Sequence, residues 1–266
     1  MKTLTSSVFL ALALSTGALV QAQTFEQSFT AAQRGDYRTA FAGFKKLAEQ
    51  GDAGAQFNLG LMYAEGQGVP KDDQQALVWY RKAAEQGFAG AQYNLGLMYA
   101  IGQGVPKDER QSVAWTRKAA EQGHAGAQNN LGAMYENGQG VSKDEQQAVA
   151  WYRKAAEQGN ASGQSNLGLM YARGHGIPMD DQQAMVWFRK AAEQGNAGGQ
   201  YNLGFMYGTG QGVPKDDQQT YFWWLLSSAQ GDQQALKNRD LIERRLTPEQ
   251  RAAAQALART WKPKTK

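Results

Sequence analysis

Cysteine is absent from this chain of 266 residues. That removes disulfides, and it removes a lipid-modified cysteine at the N-terminus. Histidine is nearly as scarce, with only His124 and His175, and neither has a partner at ligand spacing. A zinc site built from Cys and His is therefore not expected. Charge of one sign is missing too: 28 Lys and Arg stand against 24 Asp and Glu, a net charge of +4. Such a small surplus, spread along the chain, does not make a phosphate-binding stripe, so no nucleic-acid partner is expected. Finally, no apolar run approaches the roughly 20 residues of a membrane span.

The longest apolar run is Val8 to Val20, preceded by Lys2 and followed by Val20-Gln21-Ala22. A basic start, a short apolar core and a small residue before Gln23 describe a secretory signal peptide. Residues 1–22 are accordingly read as a leader cleaved near Ala22/Gln23. The mature protein would be periplasmic or secreted, with no integral membrane span. It would also lack Lys2, which lowers the basic surplus by one. With no disulfide to brace it, it must be held by packing alone.

What the chain does have is repetition. NLGLMYAEGQGVPKD, starting at Asn58, returns from Asn94, Asn130, Asn166 and Asn202 with few changes and no insertion. A period of 36 residues calls for a helical solenoid before any other fold. In the unit Gly51–Gln86, Ala55, Leu59, Met62 and Tyr63 form the apolar stripe of a first helix. Gly60 beside the stripe removes a side chain where a neighbouring helix must approach. Gly66 and Gly68 end this helix, since glycine suits a left-handed turn, and Pro70 forbids continuation. Asp72 and Gln75 have the spacing of a capping box opening a second helix.

That second helix carries Ala76, Trp79, Tyr80, Ala83 and Ala84 on one face. Trp79, Trp115, Trp151, Trp187 and Trp223 share one phase and are read as one core knob per repeat. Arg81-Lys82 and its equivalents, trailed by Glu85, Glu121, Glu157 and Glu193, are read as a solvated face of paired charges. The GQG turns lie between helices, outside any βαβ pattern, so they are read as punctuation and not as phosphate loops. The carboxylate pairs at Asp72-Asp73 and equivalents open helices, where negative charge offsets the dipole. No catalytic residue, metal site or cofactor motif emerges.

The repeats differ mainly on the first helix, opposite its constant stripe. One row there reads Phe57, Tyr93, Asn129, Ser165, Tyr201, and a second Leu61, Leu97, Ala133, Leu169, Phe205. A third reads Glu65, Ile101, Asn137, Arg173, Thr209. Apolar residues side by side on a solvated face mark a partner site. The alternative is that this stripe packs the next helical layer. Asn58, Asn94, Asn130, Asn166 and Asn202 border it, either clamping a peptide backbone or bonding the neighbouring repeat's loop.

The pattern A-x-Q-x-N-L-G-x-M-Y, then G-x-G-V, then D-x-x-Q-A-x-x-W-x-R-K-A-A-E-Q-G resembles the Sel1-like repeat, a longer-looped relative of the tetratricopeptide repeat. Five units cover 51–230. Residues 23–50, containing AAQRGDYRTAFAGFKKLAEQ, resemble a helical pair with a shortened loop. Residues 231–266 read as capping helices that cover the apolar second helix of repeat five. The last of these, about Pro248 to Thr260, opens on Thr247-Pro248-Glu249-Gln250.

The resemblance implies an all-α, right-handed α-solenoid, with first helices lining a concave groove. It also implies an adaptor that holds a protein or peptide partner. Relatives in bacterial envelopes act as signalling regulators, host-interaction factors or toxin-immunity proteins. Cysteine-rich relatives are linked to penicillin, which keeps a cell-wall or β-lactam enzyme as a second reading, although this chain has none of their cysteines. A nucleic-acid or membrane-surface binder is a third. Tyr93 and Tyr201 are the expected anchors, neither important for folding.

Overall fold

The computed structural model describes residues 24–264, so the leader expected over residues 1–22 lies outside the described residues. Helix α1 covers residues 24–33. It is followed by α2 (Tyr37–Glu49), α3 (Ala53–Glu65), α4 (Asp73–Glu85), α5 (Ala89–Ile101) and α6 (Glu109–Glu121). Then come α7 (Ala125–Asn137), α8 (Glu145–Glu157), α9 (Ala161–Arg173), α10 (Asp181–Glu193) and α11 (Ala197–Thr209). The chain ends with α12 (Asp217–Ala229), α13 (Gln233–Glu243) and α14 (Pro248–Thr260). No strand occurs among the described residues.

Two compact units divide at Gln122/Gly123. In the first, each helix from α2 to α6 packs on the next. In the second, the same holds from α7 to α13, α14 packs on α12, and the first helices α7, α9 and α11 touch in turn.

First helices begin at an N-cap side chain wherever the sequence supplies one. Asp52, His124, Asn160 and Asn196 each accept the backbone N–H three residues on, whereas Phe88 in the same slot makes no side-chain bond. They end at Gly66, Gly102, Gly138, Gly174 and Gly210, all left-handed with φ between 68° and 77°. Leu59, Leu95, Leu131, Leu167 and Leu203 are fully buried, each worth about 1.5–3 kcal/mol over an exposed side chain. Tyr63, expected in this core, is only half-buried and stands edge-on to Phe41 at 5.5 Å.

Gly60 does what its place beside the stripe implies. A Cβ there would stand 2.7 Å from Tyr80 Cδ1, and Gly132, Gly168 and Gly204 meet Tyr152, Phe188 and Trp224 at the same distance. These rings, one residue after the tryptophans, are the knobs that fill the repeats. This corrects the reading of the tryptophan row as uniform core. Trp151 and Trp223 are buried, but Trp79, Trp115 and Trp187 are half-buried. The reason is geometric: the neighbouring helix approaches closest at the glycine, so the ring facing that glycine is enclosed and the one beside it keeps an edge in solvent.

Four of the five tryptophans instead serve as a platform for the lysine one turn on. Lys82, Lys118, Lys154 and Lys190 lie over Trp79, Trp115, Trp151 and Trp187, at 3.9–4.2 Å from the ring centroids. Arg81, Arg153 and Arg189 donate to the hydroxyls of Tyr99, Tyr171 and Tyr207 in the following repeat, at 2.9, 3.3 and 2.8 Å. The expected Arg/Lys-to-Glu pairing along this face gives way to these contacts, because a flat ring one turn away holds a cation without immobilising a second flexible chain.

Second helices are capped by Asp72, Asp108, Asp144, Asp180 and Asp216, which accept the N3 backbone N–H. The return bond from the N3 glutamine, needed for a full capping box, is absent from these helices. It is present in α14, where Thr247 and Gln250 reciprocate and Pro248 occupies the first turn.

The GQG loops are more than punctuation. A side chain at Gly68, Gly104, Gly176 or Gly212 would collide with the carbonyl of Tyr37, Asp73, Glu145 or Asp181, the opening residue of the preceding second helix. Gln103 Nε2 bonds Asp73 Oδ1 at 2.9 Å in the same seat. The second glycine therefore lets each loop rest on backbone.

A glutamine pair, which no periodicity argument reveals, ties helix pairs together. Buried Gln56 donates to Ala48 O at 3.1 Å and accepts from Gln86 Nε2 at 2.8 Å. Gln92, Gln164 and Gln200 repeat both bonds. Buried amides satisfied in this way fix register.

At the C-terminal end, Tyr221 and Trp224 of α12 are buried with Ala235 and Ile242 of α13 and Ala254 of α14, whereas Trp223 and Leu226 close on α10 and α11. Leu226 stands where earlier repeats carry the lysine, and Trp261 packs beside it. The chain then returns to α10, where Lys264 N donates to Glu193 O at 2.8 Å and its Nζ reaches Glu193 Oε2 at 2.9 Å.

Candidate partner-binding face

The variable stripe grades from covered to open along each first helix. Its first row is largely engaged in packing. In the first unit, Phe57 meets Phe88 at 4.9 Å and Tyr80 at 5.9 Å, and Tyr93 is half-buried. In the second, Ser165 is buried and Asn129 and Tyr201 are half-buried. The second row, Leu61, Leu97 and Phe205, is partly open. The third is open: Ile101 is 69% exposed, and Asn137 and Arg173 are exposed. Each unit thus presents an open third row above a half-covered second row.

Tyr201 does not stand free of the stacking, as the sequence suggested. Its ring stacks on Trp224 at 6.0 Å, its carbonyl accepts from Trp224 Nε1 at 3.0 Å, and its hydroxyl accepts from Asn238 Nδ2 at 3.1 Å. The cause is α13, which lies against this end of the face.

Asn58, Asn94 and Asn166 bond their own helix or side chains. Asn58 Nδ2 reaches Gly54 O at 2.8 Å, one turn back. Asn94 bonds the Tyr80 hydroxyl. Asn166 Nδ2 donates to Asn129 Oδ1 at 2.9 Å, and Asn129 Nδ2 reaches Asn130 Oδ1 at 3.3 Å. Asn202 is half-buried like the others.

Electrostatics along the face follow burial. Burial pushes the Tyr80 phenol up to about 12, against the pull of the Asn94 bond and with help from the Glu65 charge. Tyr152 is pushed further, first by burial, then by its 2.6 Å bond to Glu136 Oε2 and that carboxylate's charge. Burial also raises Tyr201, with Asp232 adding to the shift and the Asn238 bond opposing it. These phenols are neutral hydrogen-bonding groups. Among the described residues, no group of three or more His, Cys, Asp or Glu stands together to hold a metal, and no helix is long and apolar enough to cross a membrane.

His124, in the slot between repeats, is a helix cap: its Nδ1 accepts Ala127 N–H at 3.1 Å. Burial lowers its pKa and keeps that nitrogen free to accept. His175 is exposed in its loop, beside Glu145.

Five consecutive stretches, 53–88, 89–124, 125–160, 161–196 and 197–232, match the family model of the Sel1 repeat. The chain belongs to the Sel1 repeat family. A protective antigen of uropathogenic Escherichia coli strains, with an SLR fold, is 38% identical with a TM-score of 0.84. The match covers 91% of this chain but 53% of that one, so this chain spans about half its length. A Sel1 repeat protein from Oxalobacter formigenes is 32% identical, with a TM-score of 0.79, over 91% of this chain and 97% of that one. An immunity protein of Pseudomonas aeruginosa shares the fold at 22% identity and a TM-score of 0.51, over 79% of this chain and 81% of that one. No curated protein matches. The fold is the all-α solenoid of Sel1 repeats, in which successive helix pairs stack.

In Sel1 terms, α13 is the first helix of a degenerate sixth repeat. Adding one period to Asn202, Phe205, Met206 and Thr209 gives Asn238, Leu241, Ile242 and Arg245. Ile242 is buried at the place of the core methionine, and Asn238 bonds Tyr201 as Asn166 bonds Asn129. The sequence reading stopped at residue 230 and missed that the stripe continues through Leu241 and Arg245. The signal was the period itself, carried into a segment whose NLG motif has become NRD.

Proposed function

We propose that this protein is an exported Sel1 repeat scaffold whose first-helix face holds a protein or peptide partner, without catalytic residues or a cofactor. The observation that carries the reading is the division between constant and variable positions. The core leucines and the Asp caps recur in every unit, and the glycine–aromatic contact in four of the five, whereas the rows holding Leu61, Leu97 and Phe205 and holding Ile101, Asn137 and Arg173 change between repeats and stand at least partly open. Strict repetition serves stacking, so variation on one face serves recognition. Export rests on Lys2, the apolar run Val8–Val20 and Val20-Gln21-Ala22. Periplasmic or secreted placement, and a role as adaptor, signalling regulator, host-interaction factor or immunity protein, follow from the family resemblance.

The test is capture of a partner from the native envelope by mature protein carrying alanine at Tyr93 or Leu97. Each is half-buried at most on its exposed side, and truncating an interface anchor costs about 1 kcal/mol or more of binding. Loss of capture with an unchanged far-UV melt supports the reading; capture unchanged by both variants overturns it.

A further inference from the structure

The stripe ends in a cleft of about 270 Å³ between α11, α12 and α13. Its walls are Phe205 and Thr209 from repeat five and Asn238, Leu241 and Arg245 from the degenerate sixth, with Trp224 among the lining residues. These are the same stripe positions on two successive first helices, so the cleft belongs to the variable face and not to the stacking core.

The cleft exists because repeat five and its successor depart from the pattern there. Gly208, at its edge, stands where repeats one, two and four carry Ala64, Ala100 and Ala172, and a Cβ there would crowd the buried Thr220 Cγ2 at 3.1 Å. Phe205, 41% exposed, replaces the usual leucine or alanine, and Leu241, 59% exposed, faces solvent from the opposing helix. Two large apolar side chains thus stand open on opposite sides of one cavity.

Arg245 is the one charged residue lining the cleft. Among the described residues its guanidinium forms no hydrogen bond or ion pair, while its neighbour Asp240 is held by Arg239 at 2.9 Å. Arg245 follows the end of α13, and Glu243, the last residue of that helix, does not line the cleft. An unpaired guanidinium offers a fork of donors that fits a carboxylate. Asn238 and Thr209 add neutral polar atoms. The volume is below the roughly 300–1,000 Å³ of sites that enclose drug-sized ligands, and suits one side chain with its neighbouring polar group.

We propose that this cleft is an anchoring subsite for a partner polypeptide, taking a branched apolar side chain between Phe205 and Leu241 and an adjacent carboxylate on Arg245. The proposal rests on the groove reading above and gives the partner a chemistry: an acidic, apolar segment.

N-acetylleucine, which joins such a side chain to a carboxylate, is the probe, with N-acetylleucinamide as its uncharged counterpart. Both are titrated into isotope-labelled mature protein and followed by amide and indole NMR shifts. N-acetylleucine is expected to saturate with a dissociation constant on the order of 1–10 mM, fitting a ligand of so few atoms, and to shift α11, the Trp224 indole and α13 together. The amide should bind at least about tenfold more weakly, the loss of one charge-assisted contact. Arg245→Gln should abolish that preference, and Leu241→Ala should weaken both probes, with neither changing the melting temperature because both side chains are exposed. Equal binding of the two probes, shifts centred elsewhere, or no approach to saturation by about 100 mM N-acetylleucine, tenfold the weakest dissociation constant expected, would overturn the subsite. Partner capture that survives Arg245→Gln and Leu241→Ala but is lost on Tyr93→Ala would also overturn it, while leaving the groove reading in place.

Discussion

Gly168→Ala tests the packing logic because two opposing terms are both readable. Replacing a mid-helix glycine by alanine favours a helix by about 1 kcal/mol when nothing else intervenes. Here the new Cβ would stand 2.7 Å from both Cδ1 and Cε1 of Phe188, and that ring is only 2% exposed. A buried ring cannot swing away as the end of a lysine would, so the helices must separate or the ring must leave its rotamer. Overpacking of this kind costs about 1–3 kcal/mol. The sum is a net loss of up to about 2 kcal/mol, or a fall of up to roughly 8 °C in melting temperature for a domain of this size. Circular dichroism melts of the parent, Gly168→Ala, Phe188→Leu and the double variant form the assay. Shrinking the ring should remove most of the penalty, so that the added methyl is tolerated far better in the double variant. A rise in melting temperature for Gly168→Ala alone would show that the close approach to Phe188 is not what the glycine serves.

Leu131→Ala, at a fully buried position of α7, should cost about 2–5 kcal/mol; a calorimetric melt within a degree of the parent would refute the core assignment. Tyr201→Phe removes the hydroxyl that accepts from Asn238 and should cost about 1 kcal/mol, read by the same melt. The pH dependence of stability should carry a His124 component. Burial lowers its folded pKa below the ordinary 6.5, so the unfolded chain binds the proton more readily. Stability from this group is therefore complete above the unfolded value and is lost as pH falls through 6.5 towards the folded pKa. His124→Asn, using the cap found at Asn160 and Asn196, should flatten the melting temperature between pH 7.5 and 5.5 relative to the parent, as followed by circular dichroism.

The period made most of the architecture legible, because each structural rule was stated five times. Leu59 and its equivalents, the left-handed Gly66 and the Asp72 cap all follow from local chemistry. What escaped depends on which of two neighbours faces the closest approach. Trp79 and Tyr80 are adjacent and both aromatic, and only the position of Gly60 across the pair decides that the tyrosine is enclosed. The Gln56–Gln86 bond escaped for a similar reason: polar residues carry no hydrophobic phase, so a buried amide looks like a surface one. The candidate face was legible as a pattern of variation, but not its boundary. Tyr201 was placed with the open residues because α13 had lost the visible motif of a first helix, although its asparagine and core isoleucine kept the register.

The central claim is that recognition belongs to the first-helix face. Photo-crosslinking in the native cell tests it most directly, with a benzophenone side chain placed singly at Ile101 and Arg173 on the open third row, and at Val78 and Val186 on exposed second-helix positions. The account predicts a discrete crosslinked partner from Ile101 or Arg173 and none from Val78 or Val186. A discrete partner obtained from the second-helix positions alone would contradict it.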